Sequence, residues 1–245
     1  MTVSTNFILK SKKLYLLAII VIGNLLSSSA WAVIISPVKV ELSPIHSVVT
    51  VTVSNDSDSP LILQSEVLAW TQANGEDLLE ESTDLLVAPT IAKIEAEGVQ
   101  IFRVTLRHPT VAVAERAYRL VLDDVSNIEG QRKGDGINLL FSHRLPVFVA
   151  GTGKVGPRPH FESCANSAQR GCVRLVNDGD QYVQVQSLIV NGINWKENLD
   201  AGNRVLAGAW KQWTFASPPA SAGQLTVTAE TSDGQMTFEL ANPSR

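Results

Sequence analysis

Basic charge, cysteine and aromatic side chains are all scarce in this chain of 245 residues. Lys and Arg number 20 against 24 Asp and Glu, a formal charge of −4, so there is no basic surplus to grip a phosphate backbone and nucleic-acid binding is not expected. Two cysteines cannot staple a disulfide-dense mini-protein or supply a four-thiolate zinc site. Aromatic residues make up 6%, and Trp70, Trp195, Trp210 and Trp213 are scattered, which fits core packing better than a sugar-binding platform. With 44% hydrophobic and 18% charged residues, the chain is neither disordered nor collagen-like.

Catalytic signatures are missing as well. There is no H-E-x-x-H, G-x-S-x-G or calcium-loop pattern, and His46, His108, His143 and His160 lie in unrelated segments. Gly151-Thr152-Gly153-Lys154 resembles the end of a phosphate loop, but Phe148 stands where the first glycine is required. Asp123-Asp124 and Glu80-Glu81 are sequence neighbours, which a strand sends to opposite faces. The expectation is a binding or assembly protein without catalytic residue, metal or other cofactor, and without a small-molecule substrate.

The N-terminus has a different character. Lys10, Lys12 and Lys13 precede the apolar run Leu14 to Leu26, and Ala30-Trp31-Ala32 forms a small-residue cleavage site. The run is shorter than the roughly 20 residues needed to span a bilayer. Residues 1–32 are therefore expected to be a cleaved signal peptide, and no later run is long enough to span. Export exposes Cys164 and Cys172 to an oxidising compartment, where their spacing suits a disulfide closing a short hairpin. A loop of that size gains about 2–3 kcal/mol from closure.

After residue 32 the hydrophobic period is two. Val49, Val51 and Val53 alternate with polar residues, and strands are expected at Leu61–Trp70, Val99–Arg107, Tyr118–Val125 and Ile137–Val149. Residues 77–86, with leucines at mixed spacing, read as a loop with at most one helical turn. Gly151 to His160 carries three Gly and two Pro and reads as a flexible linker. The strand rhythm then resumes at Val173–Val176, Tyr182–Val190, Lys211–Phe215, Leu225–Ala229 and Met236–Leu240. The expected fold is all-β, with two immunoglobulin-like sandwiches at 33–150 and 159–245 joined by a linker at 151–158.

Within the first of these, Ile137, Leu139 and Phe141 share one strand face, and charge or proline arrives only at Arg144 and Pro146. Two readings follow from that pattern. The face is buried in its own sandwich, or it is an edge offered to another chain, which adds main-chain hydrogen bonds and inserts alternate side chains.

The chain resembles the PapD-like periplasmic chaperones of chaperone–usher pilus assembly. The resemblance is carried by Ser36 to Leu42, Val87-Ala88-Pro89, Gln100 to Val104, Glu115 to Leu120, Ile137 to Val149, Val173 to Asn177 and Tyr182 to Val185, in order and spacing together with the signal peptide. It implies a periplasmic location and a cleft between two sandwiches. Pilus subunits and an outer-membrane usher are the implied partners, and the unloaded chaperone has an edge on which it could self-associate. It also implies that Ile137, Leu139 and Phe141 enter the groove of a subunit lacking its last strand. The subunit's terminal carboxylate would then be held by basic residues of the cleft.

At those basic positions the sequence departs from the family. Lys39 stands where Arg is commoner, and Pro146 replaces the basic residue of the lending strand. Arg144 and Arg119 are expected to take over the anchor, with the bound register displaced by about one side-chain pair. Glu115 and Asp233 match the acids of the family's interdomain salt bridge, but Ala150 occupies the Arg position, leaving Arg116 or Arg174 as its substitute. These departures resemble the archaic branch, associated with Csu-type and spore-coat-like pili. A structural pilin or adhesin would start with a donor extension, whereas strand-like sequence begins at once with Val33-Ile34-Ile35. A carbohydrate-binding module would cluster its aromatics.

Overall fold

The computed structural model describes residues 33–108, 112–126, 140–164, 170–194, 203–216 and 224–241. The signal segment therefore lies outside the described residues, as do Ile137, Leu139 and Trp195.

Alternating burial builds the first sandwich. One sheet has the order β1 (Val33–Ser36), β3 (Val48–Asn55), β8 (Val99–Leu106), β6 (Leu85–Ala88). The other runs β2 (Val40–Leu42), β10 (Ser142–Val149), β9 (Arg116–Asp124), β4 (Leu61–Ala73), β5 (Glu76–Glu81), and β7 (Ile91–Ile94) also pairs with β4. Val51, Val53, Phe102 and Val104 point inward from the first sheet. They meet Leu63, Leu120, Leu122, Leu145, Val147 and Val149 from the second. Each such side chain contributes roughly 1.5–3 kcal/mol by leaving water.

The second sandwich uses β11 (Pro159–Ser163), β12 (Arg170–Asn177) and β16 (Trp210–Ala216) in one sheet. Opposite lie β14 (Ile193–Asn194), β13 (Val183–Val190), β17 (Gln224–Thr231) and β18 (Gly234–Ala241), with β15 (Arg204–Val205) on β13. Phe161, Leu175, Leu188, Leu225 and Val227 fill the space between them. Cys164 and Cys172 form a disulfide across a Cα separation of 5.1 Å.

Each sandwich contains a buried asparagine whose side-chain amide is fully bonded. Asn55 Nδ2 donates to the carbonyls of Ser59, Ile94 and Glu95, while its Oδ1 accepts from Ser57. Asn177 Nδ2 donates to Gln181, Val205 and Leu206, and its Oδ1 accepts from the amides of Arg158 and Gly179. A buried amide is tolerable only when so satisfied.

Two sequence expectations need correction. Residues 77–86 are not a loop with a helical turn: Glu76–Glu81 is strand β5, and β6 begins at Leu85. The cause is the two-residue turn at Asn74 (φ 54°) and Gly75 (φ 82°), both left-handed, which closes a tight hairpin with Ala73 opposite Glu76. The hairpin sets Leu79 opposite Trp70, and this partly buried leucine packs against the second core from a strand otherwise rich in acid. The stretch from Gly151 to Arg158, expected to be flexible, is tied down along its length. Thr152 and Gly153 donate to Ala112 and Val113 carbonyls, and Val155 and Gly156 donate to the Asp180 carboxylate at 3.0 and 2.8 Å. Gly153 has no room for a Cβ, because the Asp180 carboxylate occupies that space.

Candidate functional site

Strand β10 is paired unequally on its two sides. Its whole length is antiparallel to β9, from Ser142 opposite Asp123 to Val149 opposite Arg116. On the other side β2 joins in parallel only at Val147–Val149. Among the described residues, Ser142–Pro146 therefore leave one row of backbone groups unpaired by any strand. Leu145, Val147 and Val149 point into the core. Continuing that parity outward reaches Phe141, which is 59% exposed, stacks on His143 at 6.5 Å and offers its carbonyl to Asp124 N–H at 2.9 Å. The strand expected at Ile137–Val149 begins at Ser142 in the structure.

The other face of the same sheet looks toward the second sandwich. The register aligns Pro146 with Arg119 and Leu68, and Phe148 with Ala117 and Trp70. Trp70 and Phe148 are buried among the core residues of the second sandwich rather than the first. Their rings lie 6.1 Å apart, and Phe148 stacks on Tyr182 at 4.1 Å with 10° between planes. The Arg119 guanidinium lies 3.7 Å over the Trp70 ring, and Arg204 is 5.8 Å from the Tyr182 ring. Burial lowers the Arg119 pKa, and repulsion from Arg204 and Arg144 acts in the same direction against the attraction of Asp77.

Polar contacts complete the junction. Gln72 Nε2 donates to Arg204 O at 2.8 Å, and its Oε1 accepts from Leu206 N–H at 2.9 Å. Lys211 Nζ pairs with Asp77 at 3.0 Å. Glu115 holds the second sandwich twice: its own N–H donates to Asp180 O at 2.9 Å, and its carboxylate accepts from Tyr182 N–H at 3.2 Å. Burial pushes the Glu115 pKa up to about 7, offset in part by the Tyr182 bond and Lys39 and reinforced by Glu41 and Asp180. An open cleft of about 380 Å³ beside it is lined by Trp70, Gln72, Asp84, Glu115, Arg116 and Leu206, among others.

The expected anchor residues are separated by this geometry. Lys39 is engaged with Glu41 at 2.7 Å, and that hydrogen bond raises its pKa. Arg119 is half-buried on the cleft face, and Arg144 is exposed two residues from Pro146 on the same face. Asp233 sits in the exposed β17–β18 turn, where its N–H donates to Thr231 Oγ1 and its carboxylate accepts from Ser232. Arg116 pairs with Asp84 at 3.3 Å and Arg174 lies over Trp210 at 4.1 Å. Sequence reading missed Gln72, Asp180, Tyr182 and Arg204 at the junction. Their contacts across the junction join Gln72 to Arg204 and Glu115 to Asp180 and Tyr182, pairs more than 60 residues apart, and nothing in their local sequence marks them. Among the described residues no group of three His, Cys, Asp or Glu side chains could hold a metal ion.

Three solved structures share the fold. The CsuC–CsuE chaperone–tip adhesion subunit complex of archaic Csu pili from Acinetobacter baumannii is 19% identical, with a TM-score of 0.62 over 85% of this chain and 98% of the other. The Salmonella enterica SafA pilin–SafB chaperone complex is 17% identical, with a TM-score of 0.59 over 88% and 98%. The Escherichia coli chaperone DraB is 17% identical, with a TM-score of 0.57 over 85% and 98%. No curated protein matches the chain in sequence. Residues 32–153 match the pili and flagellar-assembly chaperone family, PapD N-terminal domain. Through that segment, which holds both the one-sided strand and the basic cleft face, the chain belongs to the PapD-like family of pilus-assembly chaperones.

Proposed function

We propose that the chain is a periplasmic chaperone that captures unfinished pilus subunits by lending them β10, and passes them to an outer-membrane usher. The observation that carries this reading is the unequal pairing of β10, with an exposed Phe141 on the parity of its buried residues. A subunit lacking a strand has the complementary defect, an open apolar groove with unpaired backbone. β10 supplies the hydrogen-bonding row, and Ile137, Leu139 and Phe141 supply the apolar side chains. Each side chain that leaves water contributes roughly 1.5–3 kcal/mol, reduced by the cost of ordering the strand. No bond is made or broken, so neither catalytic residue nor cofactor is needed.

Arg119 and Arg144 serve as the anchor for the subunit's terminal carboxylate. Supporting this, Lys39 is already neutralised by Glu41, and Pro146 carries no charge. The departures at Lys39, Pro146 and Ala150 align the chain with the archaic, Csu-type branch. The domains proposed are the signal at 1–32, sandwiches at 33–150 and 159–245, and the connection at 151–158.

Co-expression tests the lending strand. Leu139→Ser with Phe141→Ser leaves a folded chaperone, because Phe141 is exposed, yet abolishes co-purification of the pilus subunits expressed with it. Recovery at the wild-type yield would refute the assignment.

A further inference from the structure

The segments that meet where the two sandwiches join converge on one buried acid. We propose that Asp180 is the positioning residue that sets the angle between the sandwiches, so that the cleft is already formed when a subunit arrives. The consequence for subunit capture rests on the chaperone reading; the control of the angle does not.

Asp180 touches three segments at once. It is buried, and its carboxylate accepts from the amides of Val155 at 3.0 Å and Gly156 at 2.8 Å in the connection. Its own N–H donates back to Gly156 O at 3.1 Å, and its carbonyl accepts from Glu115 N–H of the first sandwich at 2.9 Å. Two residues on, Tyr182 N–H donates to the Glu115 carboxylate and the Tyr182 ring stacks on Phe148. The connection is bonded to the first sandwich as well, through the carbonyls of Ala112 and Val113. Residues 112–115, 152–156 and 180–182 thus close a ring of hydrogen bonds around one carboxylate. Sterics agree with this. A Cβ at Gly151 would strike the Val113 carbonyl, at Gly153 the Asp180 carboxylate, and at Gly179 the Gly156 carbonyl, so the three segments lie in backbone contact.

The acid that the second sandwich brings to this ring is Asp180 and not Asp233, which sits in the β17–β18 turn. Its partners are backbone amides, and an ionised acceptor on two N–H groups makes the stronger, charge-assisted kind of hydrogen bond. A second attachment uses other residues of both sandwiches. The β4–β5 hairpin reaches across with Gln72 on Arg204 and Leu206, Asp77 on Lys211, and Gly75 against Trp210. One attachment leaves a body free to swing about it, and two separate ones remove that freedom. β10 ends at Val149 and Thr152 is already bonded to Ala112, so the lent strand passes directly into the ring. Without the ring the cleft samples other angles, and apparent affinity falls with the fraction of chains that keep the competent one.

The angle is tested on the whole chaperone without any subunit. Spin labels at Thr50→Cys and Glu239→Cys, one exposed strand residue on each sandwich, report the distribution of distances between them by pulsed electron–electron resonance. Asp180→Ala is expected to turn a single narrow distribution into a broad or double one. It should also lower subunit capture by about tenfold, the factor set when about one chain in ten keeps the competent angle. Asp180→Asn, which retains one accepting oxygen, falls between, and it carries the same test should Asp180→Ala fail to fold. Gly153→Ala, which displaces the carboxylate from the side of the connection, broadens the distribution too. Leu188→Ala destabilises the second core without touching the ring and leaves the distances as in the wild type. A wild-type distribution as broad as that of the Asp180 variants, an unchanged distribution in those variants, equal broadening by Leu188→Ala, or undiminished capture by a protein with broadened distances would each overturn the proposal. Full capture by the Leu139→Ser, Phe141→Ser protein, with the distances responding as expected, would overturn the chaperone reading and leave the control of the angle standing.

Discussion

Glutamine at position 115 is isosteric with the native glutamate and still accepts a hydrogen bond from Tyr182 N–H, but it cannot titrate. The native carboxyl has its pKa pushed up to about 7 from an ordinary 4.5, chiefly because the junction buries it, with Glu41 and Asp180 adding repulsion and Lys39 and the Tyr182 amide opposing. Between those two values the folded protein holds a proton that the unfolded chain has released, so stability falls as pH rises through that window. Below pH 4.5 the benefit is fully present, and above about pH 7 it is gone. At about 1.4 kcal/mol per pH unit the whole shift has a ceiling of about 3 kcal/mol. The open cleft beside Glu115 admits water, and screening reduces the expected effect to about 1–2 kcal/mol. Urea unfolding of the wild type and Glu115→Gln from pH 4.5 to 8 measures the difference directly, because other titrating groups contribute equally to both. The variant should match the wild type at the acid end and exceed it by that amount at pH 8. Parallel curves across the range would show that the junction does not bury this carboxyl in solution.

Two further outcomes follow from the same surfaces. Gly75→Ala brings a Cβ to 2.6 Å from Trp210 Cζ3 at a φ of +82°, so it should cost about 1–3 kcal/mol in a thermal melt; an unchanged melting temperature would mean that the β4–β5 hairpin does not dock on the second sandwich. Neutralising Arg144 should weaken subunit capture more than neutralising Lys39, read as the yield of co-purified subunit, and the opposite order would return the anchor to Lys39.

Much of the fold was legible because strand periodicity is a local signal. The alternation of Val49, Val51 and Val53, or of Leu120 and Leu122, places one face against a core whatever the partner strand is. β5 escaped because its acidic residues conceal one partly buried leucine, and Leu79 becomes informative only once the Asn74-Gly75 turn has laid it opposite Trp70. The connection after Gly151 escaped for a different reason. Its glycines and prolines signal chain freedom, while the restraint comes from Asp180, a residue of the next sandwich.

The candidate site divides along the same line. The face that bears Phe141, just before β10, could be read from parity, and the departures at Lys39 and Pro146 from residue identity. The junction could not. Arg116 and Arg174 were the candidate cations for Glu115, yet its bonded partners are backbone groups at Asp180 and Tyr182, which carry no residue-specific signature.

The order of residues along the chain determined that the segment after residue 32 is all-β, that two cysteines eight positions apart can close one disulfide, and that an alternating apolar run leads into β10, since each follows from period or spacing within a short window. Only the tertiary structure decided that β2 stops short of Ser142–Pro146, that Trp70 and Phe148 serve the second sandwich, and that Arg119 lies over Trp70. Those relations join residues far apart in sequence, and their energies come from packing and Coulombic distance, which exist only once two sandwiches have met.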